Sequence, residues 1–285
     1  MKRTLVVVIL LCFIAHISEA QELWKRKRYE AIASIGTTQF FGDIGGFTKT
    51  KNILGLKDIS FKQTRFNLNL GARYRILNNV SAKLSLTYGM FHATDDRGSN
   101  EARGMEARTS FFEPALIGEY YFIKSKKESS YLFGKGRRTQ FGSLISSLDI
   151  YAFTGIGGLS YNIKRNDKLV AKGMKNSGFT TVIPVGVGLN LLILPDYNFG
   201  LELGGRYAFS DYLDGYTSQY SSSNDVYYFL NVTFTYKIRT NTKGVPLFLG
   251  KRINTSLYFL LTLTSVFLFS LLRGLIIRLI FSTKS

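Results

Sequence analysis

From Phe66 onward the side chains alternate in character with a period of two. Phe66, Leu68, Leu70, Ala72, Tyr74 and Ile76 fall on one face, and Arg65, Asn67, Asn69, Gly71, Arg73 and Arg75 on the other. A helix would scatter these two sets around its axis, whereas a strand sends successive side chains to opposite faces. After Leu77-Asn78-Asn79 the alternation resumes, with Val80, Ala82, Leu84, Leu86, Tyr88 and Met90 opposite Ser81, Lys83, Ser85, Thr87 and Gly89. The two runs predict a hairpin with a tight turn. Two more strong runs follow: Phe199, Leu201, Leu203, Gly205 and Tyr207 against Gly200, Glu202, Gly204, Arg206 and Ala208, then Tyr228, Leu230, Val232, Phe234, Tyr236 and Ile238 against Asn231, Thr233, Thr235 and Lys237. Weaker runs at Glu30 to Gly42, Arg108 to Ile123, Asp149 to Asn162 and Thr180 to Ile193 bring the total to about eight strands. Pro114 and Pro184 speak against the strands that contain them, because proline deletes a ladder hydrogen bond.

A soluble barrel also alternates, with its apolar face inward, so the polar face must decide the orientation. Here it carries Arg65, Arg73, Arg75, Lys83, Glu113, Glu119, Glu202 and Arg206 among Gly, Ser, Thr and Asn. Such a mixture of signs suits a narrow closed lumen better than a face turned to bulk water. The expected fold is all-β: a closed antiparallel transmembrane barrel of about eight strands. Its lipid face would include Leu68, Leu84, Leu86, Leu203, Leu230 and Val232. Its lumen would hold a charge network of Arg73, Arg75, Lys83, Glu113, Glu119, Glu202 and Arg206. Rings at Tyr74, Tyr88, Tyr120, Phe122, Tyr151, Tyr161, Tyr207, Tyr228 and Tyr236 are expected at the ends of the apolar faces, where amphipathic aromatics suit the lipid interface.

Short turns at 77–79 and 194–198 alternate with longer polar loops at 43–60, 92–107, 163–179 and 210–224, as periplasmic turns and outer loops do. The basic connection 124–148 is the exception, being long and on the turn side. Lys2 and Arg3, the apolar run Leu5 to Ala15 and then Ser18-Glu19-Ala20 have the layout of a signal peptide cleaved after Ala20. Residues 21–254 are then the barrel domain. The tail 255–285 carries a continuously apolar run from Ser256 to Leu272, then Arg273 and a second apolar stretch, and reads as an extension or an inner-membrane anchor.

The sole cysteine, Cys12, lies in the signal, so the mature chain has neither disulfides nor thiolate metal sites. A net charge of +18 would raise nucleic acid as a partner, but an exported chain does not meet it. Outer-membrane lipid and lipopolysaccharide are the expected partners, and the bacterial outer membrane the expected location.

Candidate chemistry is sparse. His92, followed by Asp95 and Asp96 in an expected outer loop, is the one histidine of the mature chain and could serve a barrel hydrolase with a serine, though a solvated loop histidine is the plainer reading. Gly155-Ile156-Gly157-Gly158 does not complete a dinucleotide motif and reads as relief of crowding in a curved barrel. Asp211, Asp214 and Asp225 lack the spacing of a calcium loop. No metal, cofactor or catalytic residue is assigned.

YEAIASIGTTQFFGDIGG from Tyr29, FEPALIGEYYF from Phe112 and GLELGGRYAFSDYLDGYTSQY from Gly200 resemble the Gram-negative outer-membrane barrel family that includes PorG, a component of the type IX secretion apparatus. The similarity covers most of residues 29–252 and rests on Phe41, Gly42, Asp43, Gly45, Gly46, Glu119, Tyr120, Asp211, Tyr212, Leu213 and Asp214. The resemblance implies a non-enzymatic barrel without cofactor, helping to organise periplasmic secretion-system proteins. The chain departs from the family pattern in the 124–148 connection and the tail after Asn254. A small-solute channel is the alternative, disfavoured by a charged lumen in so narrow a barrel.

Overall fold

The computed structural model describes residues 27–45, 59–96, 101–125, 147–164, 166–171, 173–217, 224–241 and 245–247. The signal segment, Gly46, most of the basic connection and the apolar tail lie outside them. Within the first of two compact units, Met1–Ile238, eight strands form a closed barrel. They are β1 (Tyr29–Phe41), β2 (Arg65–Arg75), β3 (Val80–Thr94), β4 (Glu106–Ile123), β5 (Leu148–Ile163), β6 (Ser177–Leu194), β7 (Tyr197–Ala208) and β8 (Val226–Ile238). Each strand pairs antiparallel with its sequence neighbours, and β1 closes on β8 from Tyr29↔Ile238 to Phe41↔Val226. In the second unit, Arg239–Ser285, the described residues form a small loop with Thr240 bridging Pro246.

Closure leaves no strand edge unpaired, the condition for crossing a bilayer with strands. The burial alternation follows: along β2, Phe66, Leu68 and Leu70 are exposed while Asn67, Asn69, Arg73 and Arg75 are buried. Leu70, Leu116 and Ile156 are 60–64% exposed on the outer wall. A band of this size in water would be an aggregation surface, and in a bilayer it is the lipid contact.

Pro114 and Pro184 flank the middle of β5. The β4–β5 ladder pairs Phe112↔Ser160 and Ala115↔Gly157 but not the positions between, and the β5–β6 ladder likewise skips from Thr154↔Val185 to Gly157↔Val182. The missing proline donors therefore fall where the ladders are already interrupted. The glycines there allow close approach: a Cβ on Gly155 would stand 2.1 Å from the Leu116 carbonyl oxygen.

β5 reverses the usual sorting of side chains. Tyr151 and Tyr161, expected at the lipid interface, point inward with Phe153 and Leu159, while Ala152, Thr154 and Gly158 take the outer side. The reason is complementary space on β6 and β7: Tyr151 occupies the room beside Gly188, Phe153 that beside Gly186 and Gly204, and Tyr161 that beside Gly178. Bulky rings against glycines fill the lumen on this side.

Candidate functional site: the filled lumen

The short-turn half of the lumen is an ion network. Strand order makes Glu30 and Arg73 direct partners across β1 and β2, and Arg73 and Lys83 across β2 and β3. Arg73 lies at the centre: Nη1 is 2.8 Å from Glu30 Oε2, Nε 2.6 Å from Glu119 Oε2, and Nη2 donates to Glu119 Oε1 at 3.1 Å. Arg75 Nη2 donates to the other oxygen of Glu30 at 2.9 Å. Across the lumen, Lys83 Nζ donates to Glu202 Oε1 at 2.7 Å and stands 3.2 Å from Glu119 Oε1. Tyr151 and Tyr121 donate their hydroxyls to Glu202 Oε1 and Glu119 Oε2, at 2.6 and 3.0 Å.

All of these charged residues are under 10% exposed. Arg73, Arg75 and Lys83 meet Glu30, Glu119 and Glu202, and Lys237, also buried, is the cross-strand partner of Glu30 on β8. Such pairing is what desolvation demands, because an unpaired charge in this setting costs several kcal/mol.

The expected network of seven divides in two. Glu113 and Arg206 form a separate site nearer the loop end, with Arg206 Nε 3.5 Å from Glu113 Oε1 and Tyr227 donating to Glu113 Oε2 at 2.6 Å. Arg206 also lies 4.1 Å over the Phe229 ring. Along β4 the buried Ala115 and Ile117 separate Glu113 from Glu119, and Phe153 packs in the same cluster, so apolar side chains stand between the two charged groups. Glu30 is the functional residue that sequence reasoning missed. Its signal was parity with Ser34, obscured by Ile32 on the same inner face.

The loop-end half is apolar: Phe40, Phe91, Phe111, Leu159, Leu213, Tyr227 and Phe229 form one buried cluster. Phe91 and Phe111 stack at 4.2 Å, and Phe111 and Phe229 at 5.7 Å and 11°. Above it the loops are tied by carboxylates that accept backbone N–H groups. Asp214 accepts from Ile44 and Tyr216, Asp225 from Leu213, and Asp95 from Gly45 and Met105. Arg103 adds a two-pronged bond to Asp95 at 2.7 and 2.9 Å. Burial, reinforced by Asp43 and Asp211, pushes the Asp214 carboxyl up to about 7, and burial beside Asp214 pushes Asp225 up as well. Gly42 makes this packing possible: a Cβ there would lie 2.7 Å from Asp225 Oδ1 and 2.8 Å from Asp214 Oδ2.

Two expectations are corrected. His92 lies in β3, not in a loop, and is only 7% exposed. Its Nδ1 meets the Lys62 carbonyl at 3.2 Å and its Nε2 meets Glu106 at 2.9 Å, so both ring nitrogens are engaged. Arg65 leaves the lumen face because it starts β2, where its guanidinium turns back to donate to the Lys62 and Thr64 carbonyls. Leu68, Leu84, Leu86, Leu203, Leu230 and Val232 all stand on the exposed outer wall.

A closed eight-stranded barrel with a continuous apolar outer wall and a packed polar interior defines a bacterial outer-membrane β-barrel. Residues 2–243 match the family described as Domain of unknown function (DUF6089), and the chain belongs to it. No curated protein matches the sequence.

Among solved structures, Neisserial surface protein A (NspA) is 12% identical with a TM-score of 0.42, covering 73% of this chain and 96% of its own. The outer membrane protein OprG from Pseudomonas aeruginosa is 11% identical with a TM-score of 0.40, covering 77% and 100%. Ail, the attachment invasion locus protein of Yersinia pestis, is 13% identical with a TM-score of 0.37, covering 73% and 98%. What they share with this chain is the barrel.

Proposed function

We propose that the protein is a plugged, non-enzymatic outer-membrane barrel that serves as a structural element, with periplasmic secretion-system proteins docking at its short-turn end. The observation that carries this reading is the lumen: the Arg73-centred ion network closes one half, and the Phe91–Phe111–Phe229 stack the other. With eight strands there is room for side chains and little else. His92 supports the same reading, since neither ring nitrogen is left to act as a base on a hydroxyl.

The purified protein in planar bilayers is expected to give no stepwise conductance. Regular open-channel steps would establish the solute-channel reading instead. The secretion role, of the PorG type in type IX export, rests on the sequence resemblance. Its test is co-purification from intact outer membranes, with a charged tripeptide inserted between Asn78 and Asn79 as the control. Periplasmic secretion proteins should be recovered with the unaltered chain and lost with the insertion; equal recovery would refute docking at that turn.

A further inference from the structure

Among the described residues, the outer wall carries a strongly basic feature just beyond the apolar band. A groove of about 480 Å³ is lined by Arg65, Met90, Arg108, Ser110, Asn162 and Lys164. Register aligns it across three strands: Met90 pairs Ser110, Ser110 pairs Asn162, and the Lys164 N–H donates to the Arg108 carbonyl at 2.8 Å. The next outward-facing cross-strand pair toward the barrel middle is Tyr88↔Phe112, both exposed. The cations thus stand three to four residues, about 10–14 Å, from the aromatic edge of the lipid contact. Those are the depths of a headgroup.

Three cations line the groove, and the carboxylate beside them is Glu106, whose Oε1 is 2.7 Å from both Arg108 Nε and Nη2 and is shared with His92. Positive charge is left in excess. Nearby, in the loop that leads into β2, Ile59 is 56% and Phe61 96% exposed. Large apolar side chains beside a cationic groove suit an amphiphile better than a free anion in water.

We propose that this groove binds the phosphate of a phosphorylated glycolipid of the outer leaflet, a lipid A-type headgroup, with Arg65, Arg108 and Lys164 as its cationic contacts. Bidentate guanidinium pairing with phosphate oxygens is the favoured geometry for such groups, and Lys164 adds a point charge. This rests on the orientation in which the short turns face the periplasm and the long loops the exterior.

The test uses the full-length protein purified in detergent, with bound lipid counted by native mass spectrometry during titration with bis-phosphorylated lipid A. The Arg65→Gln/Arg108→Gln/Lys164→Gln variant is expected to bind about a hundredfold more weakly, at about fivefold per cation near a charged membrane surface. Enzymatically dephosphorylated lipid A should bind the unaltered protein as weakly as intact lipid A binds the variant. Equal retention by the variant, or equal binding of the dephosphorylated lipid, overturns the proposal. Displacement of lipid A by inorganic phosphate at equal concentration would also overturn it, by making the groove a small-anion site. Should the triple variant not fold, Lys164→Gln and Arg108→Gln are read singly, each with the fivefold loss expected.

Orientation is read independently by labelling exposed Glu101→Cys with an impermeant maleimide on intact cells. No labelling means that the orientation fails and the proposal with it. Labelling together with unchanged lipid binding in the variant sinks the proposal alone.

Discussion

The two halves of the lumen are filled in opposite ways. At the short-turn end buried acids and bases pair with one another around Arg73, and at the loop end a stack of rings around Phe111 excludes water by apolar packing. The apolar half gains from burial directly. The charged half spends most of its Coulombic gain on desolvation, and its net contribution to stability is small even though each member is costly to remove. What it adds is specificity, because Glu202 can satisfy Lys83 only if β3 and β7 face each other in this register.

This contrast can be broken most directly at Glu202. Glu202→Ala should cost about 3–5 kcal/mol in urea titrations of the barrel in lipid vesicles, because Lys83 is left buried beside Arg73 with one acid fewer. The double variant with Lys83→Met should recover part of that loss. A silent Glu202→Ala would show that water reaches the network. Phe111→Ala should lose a similar amount, about 3–5 kcal/mol, but here a second truncation at Phe229 should add to the damage instead of relieving it. Rescue in the apolar half, or none in the charged half, would erase the distinction.

The outer wall gives a smaller effect. Leu84→Arg or Leu230→Arg should cost about 2–4 kcal/mol near the bilayer midplane, with Asn69→Arg or Thr233→Arg on the lumen side milder. Equal tolerance would mean that the inside–outside assignment is wrong.

The smallest effect is expected in the loop cap and depends on pH. Because Asp214 has a folded value of about 7 against an ordinary 3.8, the folded cap holds a proton that the opened chain releases. Asp214 therefore firms the cap most below the ordinary carboxylate value, and its contribution is lost as pH rises through the interval up to about 7. Hydrogen exchange at the Ile44 and Tyr216 amides, corrected for its intrinsic pH dependence, should show this trend, and Asp214→Asn should flatten it. Protection that increased with pH would reverse the assignment.

The hairpins β2–β3 and β7–β8 could be read from the chain because each has one face of large apolar residues and one of polar ones. β5 could not be oriented so readily. Its lumen face carries Tyr151, Phe153 and Tyr161, its lipid face Ala152, Thr154 and Gly158, and the cause lies in glycines of other strands. Alternation also gives parity without partners. Lys83 and Glu202 are 119 residues apart, and which acid meets which base depends on which strands face each other across the lumen. The split of the network at Glu113 and Arg206 was hidden for the same reason, since height along the axis follows from register and stagger.

The closing ladder between β1 and β8 has a consequence for connectivity. Tyr29 and Ile238 are paired Cα to Cα, and every other neighbouring pair of strands is joined by a local connection. The ring therefore has no privileged starting point: a short linker from Ile238 to Tyr29, with new ends opened at the turn between Leu194 and Tyr197, would give a circular permutant in which each neighbour relationship is retained and only the order of synthesis changes.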